Sequence, residues 1–230
     1  MASGGVLYLD FLSQPSRAVV NMMEHAGIAS KFTIKEVSIM KGELREKEFA
    51  QINPNMRVPC YKEGGLILFE SSAIMRYICN AYLPENNPYY PRNDPLKKAK
   101  IEELICKYHR FVRPAARAIY GTFIAPMLGV EHLFNIEEDK AKAILTAKEV
   151  EKWFIGNNTF LTGDQPSIAD FLIYNELMQI HQVNDWSLKN AQIPKVKKMF
   201  KSLIEHASLK NSNNYLLAPL KEMEVDISYL

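Results

Sequence analysis

The pattern of apolar and polar positions divides the chain into two unlike parts. The short apolar run Val6-Leu7-Tyr8-Leu9 reads as a strand, and over 15–26 the pattern turns helical, with Pro15 suited to a first turn. A second strand is predicted over 32–37, and the polar stretch 40–49 is irregular or helical. Val58-Pro59-Cys60-Tyr61 and Leu66-Ile67-Leu68-Phe69, joined through Gly64-Gly65, predict a β-hairpin. Glu70 and Ser71 then lead into a helix over 72–81, where Ile74, Tyr77 and Ile78 recur at helical spacing. Residues 83–95 contain Pro84, Pro88, Pro91 and Pro95 with three asparagines, which no regular element tolerates. Beyond them the pattern is helical over 96–126, 137–155, 167–182 and 194–207, and Ser167-Ile168-Ala169-Asp170 has the form of a helix capping box. The predicted organisation is an α/β domain over 1–83, a linker over 84–95 and an all-α domain over 96–230.

Composition narrows the class of partner. With 47% hydrophobic residues, 230 positions suffice for two modest cores. The 28 basic and 26 acidic residues leave a formal charge of +2 spread evenly along the chain, which argues against a nucleic-acid-binding face. No apolar run reaches the length of a membrane span, and residues 1–5 lack the pattern of a secretory signal, so a soluble, cytoplasmic protein is expected. Cys60, Cys79 and Cys106 are odd in number and show no Cys-x-x-Cys spacing; each is expected to be an ordinary buried thiol, with no disulfide framework and no zinc site.

Several positions carry chemistry as well as structure. Ser13, between the first strand and the helix near Pro15, reads alone as a helix cap, although a hydroxyl there also faces the positive end of a helix, where anions bind. Pro59 at a strand start is unremarkable by itself, and Glu70-Ser71 before a helix is ordinary capping chemistry. Arg110, Arg113 and Arg117 share one face by α-helical spacing and are expected to form a solvated face; turned inward beside His109, they would favour anionic leaving groups.

Four segments change these readings. Tyr8-Leu9-Asp10-Phe11-Leu12-Ser13-Gln14-Pro15-Ser16-Arg17-Ala18 resembles the opening of the theta-class glutathione transferases, in which a serine follows the first strand. Asn53-Pro54-Asn55-Met56-Arg57-Val58-Pro59, Phe69-Glu70-Ser71-Ser72-Ala73-Ile74, and the stretch from Phe160-Leu161-Thr162-Gly163 to Ser167-Ile168-Ala169-Asp170 are similar to further motifs of that family. The resemblance implies a thioredoxin-like α/β N-terminal domain, an all-α C-terminal helical domain and conjugation of glutathione to hydrophobic electrophiles in detoxification. It also implies a cytoplasmic homodimer that uses glutathione as a co-substrate, with no cofactor and no metal.

The same resemblance assigns roles. A free thiol ionises near pH 8.5, so lowering that by about two units requires roughly 2.7 kcal/mol of preference for the thiolate. Ser13 would supply part of it. A cis Pro59 would turn the Val58 backbone toward the peptide, Glu70 would accept from the γ-glutamyl ammonium, and Ser71 would hold its carboxylate. Arg57 or Lys41 would meet the glycine carboxylate. Here the chain departs from the family, with Leu44 where theta members often carry a histidine. Glu102 or Glu103 stands where the family places an acidic residue that reaches the neighbouring subunit's ligand; a solvated helix face is the other reading. Residues 118–128 are either the apolar wall for a second substrate or core. A transferase-shaped binding module without turnover, and a glutathione-dependent dehalogenase or peroxidase, are the alternative functions.

Overall fold

The computed structural model describes residues 4–115, 136–181, 188 and 191–206. Four short strands form one mixed sheet in the order β2-β1-β3-β4: β1 (Val6–Leu9), β2 (Thr33–Glu36), β3 (Cys60–Glu63) and β4 (Leu66–Phe69). β1 runs parallel to β2, pairing Val6 with Thr33, and antiparallel to β3, pairing Leu7 with Tyr61. The β3–β4 hairpin turns through Gly64 at φ 55°, a conformation that glycine adopts without a Cβ clash.

Both faces of the sheet are covered. Leu7 and Leu9 are fully buried beneath α1 (Gln14–His25) and α3 (Ser71–Tyr82), each such side chain contributing about 1.5–3 kcal/mol. On the opposite face α2 (Lys47–Ile52) contributes Phe49 to a smaller cluster with Val37 and Cys60. Residues 83–94 are irregular but pinned: Asn87 donates to the Pro84 carbonyl at 2.7 Å and accepts from Tyr90 N–H at 2.9 Å, while Tyr89 and Tyr90 are buried.

Helices follow: α4 (Pro95–Lys107), which widens into a π-turn over Tyr108–Val112; α5 (Ile136–Glu151); α6 (Ile168–His181); and α7 (Pro194–Ile204). Among the described residues of α6, Phe171, Leu172, Ile173, Tyr174 and Leu177 are all fully buried, so this helix is apolar on every side and forms the centre of the bundle. It packs against α1, joining the helical half to the sheet half. Helix starts are chemically marked. Asp94 caps α4 by accepting from Lys97 N–H at 2.9 Å, and Glu151 of α5 caps α7 by accepting from Lys195 and Val196 N–H, both at 2.9 Å.

The α1–α7 junction carries a pH signature. His25, in the last turn of α1, is hydrogen-bonded to the Tyr89 hydroxyl at 2.9 Å and stacks on His206 with ring centroids 4.1 Å apart. Burial and then the neighbouring His206 push its pKa down to about 4. The folded state therefore binds this proton less readily than the unfolded chain, and stability present above about pH 6.5 is lost as pH falls toward 4. Solvent at the partly open site screens the effect to about 1 kcal/mol. Urea midpoints at pH 7 and pH 5 should differ accordingly, and His25→Gln should flatten the difference; an unchanged slope in the variant would exclude His25 as its source.

Cys60 and Cys79 are buried as expected, but Cys106 is exposed. The inward face of α4 is set by Ile101, Leu104 and Ile105, and position 106 falls outside it.

Candidate active site

The N-termini of α1 and α3 open on the same cleft, of about 500 Å³, within the usual range for a small-molecule site. Its sheet-side wall begins at the loop after β1. Asp10 fixes that loop by accepting from Leu12 N–H at 2.8 Å and Ile39 N–H at 2.6 Å. The loop delivers Ser13 to the N-cap of α1. There the hydroxyl accepts from Ser16 N–H at 3.4 Å and donates to the Val58 carbonyl at 3.5 Å. Both bonds are long, so the cap holds this hydroxyl loosely. Ser13 is buried beside Pro15 and Val58, which line the cleft.

Val58 owes its position to Asn53, a residue the sequence reading used only as part of a motif. The Asn53 amide is 1% exposed, donates to the Arg57 carbonyl at 2.6 Å and accepts from Asn55 N–H at 3.0 Å. The Val58–Pro59 bond is cis, as the resemblance implies, and Val58, Pro59 and Arg57 all face the cleft. Lys41 does not: it is exposed beyond β2, its backbone N–H donating to Ser38 Oγ at 3.2 Å, and it is not among the cleft residues. Arg57 is the cation that the sheet-side wall contributes to the cleft.

Glu70 caps α3 with φ 68°, a backbone conformation costing a non-glycine residue about 1–3 kcal/mol and found mainly at ligand sites. Its side chain makes no capping bond, so the first N–H groups of α3 are left to the cleft beside Ser71. Glu102 stands apart. Its carboxylate takes both Arg76 Nε and Arg76 Nη2, at 2.7 and 2.6 Å, and the Tyr90 hydroxyl at 2.7 Å, tying α4 to α3 and to the irregular segment. Glu103 pairs with Lys100 and Lys107 on the helix surface.

The opposite wall comes from the π-turn. Pro114 has no N–H and its ring crowds the preceding turn, and the backbone widens just before it. Tyr108, His109, Arg113 and Pro114 consequently line the cleft together. This corrects the expectation of a shared solvated arginine face. Arg110 is exposed with its guanidinium 5.3 Å from the Phe111 ring centroid, whereas Arg113 turns inward to Glu176 at 2.6 Å. The widened turn breaks the α-helical spacing on which that expectation rested. Arg117 and the apolar segment 118–128 lie outside the described residues. Burial lowers the pKa of His109, favouring the neutral ring. Among the described residues no cluster of three or more His, Cys, Asp or Glu could hold a metal ion, and no helix is long and apolar enough to cross a membrane.

A thioredoxin-like sheet with a cis proline at a cleft, closed on its other side by a helical bundle, defines the two-domain architecture of thiol-peptide-binding transferases. Comparison with known proteins gives the same answer. Residues 7–80 match the glutathione S-transferase N-terminal domain family, and residues 137–214 match the glutathione S-transferase C-terminal domain family. Glutathione S-transferase theta-2 of Mus musculus is 33% identical over 175 residues, covering 75% of this chain and 70% of that protein. Glutathione S-transferase T1 of Arabidopsis thaliana is 36% identical over 185 residues, covering 78% and 74%. Human glutathione transferase theta-2, solved with glutathione and an unknown ligand, superposes with a TM-score of 0.81 at 27% identity, over 95% of this chain and 90% of that one. The chain belongs to the glutathione S-transferases and is theta-like within them.

Proposed function

We propose that this protein transfers the thiolate of glutathione to electrophilic small molecules, with Ser13 as the hydroxyl that stabilises the thiolate. The observation that carries the reading is the placement of a loosely held Ser13 hydroxyl at the N-terminus of α1, 3.5 Å from the Val58 carbonyl and beside the cis Pro59. A thiolate there would face a hydroxyl donor and the positive end of a helix. Val58 would pair with the peptide backbone. Glu70 would accept from the γ-glutamyl ammonium, and Ser71 with the first N–H groups of α3 would hold its carboxylate. Arg57, which lines the cleft, would meet the glycine carboxylate, with Lys41 beyond β2 as the other candidate.

Glutathione is a co-substrate in this scheme, and thiol transfer needs no metal or further cofactor. A cytoplasmic homodimer belongs to the same proposal. In it Glu102, already bonded to Arg76 and Tyr90, or Glu103 would reach the neighbouring subunit's ligand, and sedimentation as a monomer at micromolar concentration would remove the shared-site role.

The test is the thiolate absorbance of glutathione bound to the wild-type protein across pH. A midpoint about two units below the free thiol's, with turnover of an electrophile, is expected. Binding with an unshifted midpoint would replace the enzyme by a binding module, and no binding would overturn the reading of the cleft.

A further inference from the structure

Behind the helical wall lies a buried carboxylate that the scheme above does not use. Glu176 of α6 is fully buried; its Oε1 accepts from the Tyr108 hydroxyl at 2.9 Å and from Arg113 Nη1 at 2.6 Å, and its Oε2 has no hydrogen-bond partner among the described residues. Both donors line the cleft. Three residues along the same face of α6, Gln179 accepts at 2.8 Å from Nη2 of Arg17, a fully buried cation on α1. Arg17 Nη1 donates at 2.6 Å to the carbonyl of Phe11, two residues before Ser13. One helix face thus holds a charged group under each wall of the cleft.

The charges alternate from one wall to the other. Glu70 and Glu176 both act on Arg113, and Glu176 together with Asp10, at the root of the Ser13 loop, acts on Arg17. A purely structural account fits poorly. A buried ion pair is a weak stabiliser compared with well-packed apolar residues, because both charges must leave water. Arg113, however, is not sealed in: its side chain is 29% exposed at the cleft, while that of Glu176 is 0% exposed. The arrangement presents a cation to the site and keeps its counter-charge behind the wall.

We propose that Glu176 is a positioning residue for the thiol-transfer reaction: it fixes Arg113 in the cleft wall and offsets its charge, so that the pair sets the electrostatic field in which the bound thiol ionises. The inference rests on the reading of the cleft as the glutathione site. Arg113 favours the thiolate, and Glu176 limits how far.

Opposite signs on one observable test this. Glu176→Gln keeps an acceptor for Tyr108 and Arg113 but removes the charge; Arg113→Met removes the cation. For glutathione bound to each full-length variant, the acid dissociation constant of the thiol should fall about 3- to 10-fold in R113M and rise by a similar factor in E176Q, the size expected of one unit charge acting across a cleft of intermediate dielectric. The pH profile of kcat/KM should move alkaline in the first and acid in the second. Arg113→Lys should restore most of the wild-type value. Shifts in the same direction in both variants, or none in either while glutathione still binds, would overturn the proposal, since a structural role moves both alike. If E176Q does not fold, R113M against R113K decides: an unshifted R113M overturns it. A wild-type protein that binds no glutathione would instead overturn the reading of the cleft.

Discussion

Replacing Ser13 by Ala is expected to raise the ionisation midpoint of bound glutathione by one to two units and to lower kcat/KM at neutral pH by about 10- to 100-fold, the range for a hydrogen bond to a charged partner. The hydroxyl caps α1 in the fold and is proposed to face the thiol as well, so the experiment must separate the two. As the N-cap of α1 it accepts from Ser16 N–H, so the variant should also lose about 1 kcal/mol of stability. That loss is too small to empty the folded state of a protein of ordinary stability. The diagnostic is pH: as it rises toward 10 the thiol ionises without help, and the rates of variant and wild type should converge. A deficit that is constant across pH would assign Ser13 to the cap alone.

The largest effect on stability is expected at Asp170. Its side chain is fully buried, accepting from Leu161 N–H at 2.8 Å with one oxygen and from Ser167 N–H at 2.8 Å and Ser167 Oγ at 2.7 Å with the other. Asp170→Ala leaves three donors without a partner in the interior and uncaps the central helix of the bundle. A loss of about 3–5 kcal/mol should appear in urea unfolding. Asp170→Asn, which keeps one acceptor oxygen, should lose less. Equal losses in the two variants would show that the helix cap, rather than the buried donors, sets the cost.

The sheet half and its wall of the cleft were legible because local chemistry dictates them. A strand followed by Ser13 and Pro15, a Gly64-Gly65 turn between apolar runs, and Glu70-Ser71 before a helical pattern each specify backbone direction within a few residues. Ser167 to Asp170 was legible as a capping box for the same reason, although its complete burial was not, since that depends on what packs over it. The helical wall was not legible. A π-turn changes the residue spacing on which face assignments rest, so Arg113 could not be told from Arg110 by periodicity. Its partner Glu176 lies 63 residues away in the chain, and Asn53 likewise acts through a backbone carbonyl that no motif announces. Lys41, a charge of the right sign near the right motif, lies exposed beyond β2 and outside the cleft lining, which its charge and motif alone did not indicate.

The burial of Cys60 and Cys79 has a consequence for an enzyme that handles alkylating compounds. Such reagents react with the ionised form of a thiol, and neither Cys60 nor Cys79, both fully buried, lines the cleft. Desolvation pushes the Cys60 thiol up to about 11 and Cys79 to about 12, so that both stay protonated at neutral pH. Cys60 lies in β3, immediately after Pro59, which does line the cleft. The fold thus silences the two thiols it buries where a borrowed one is to be activated, and leaves Cys106 to the outer face of α4.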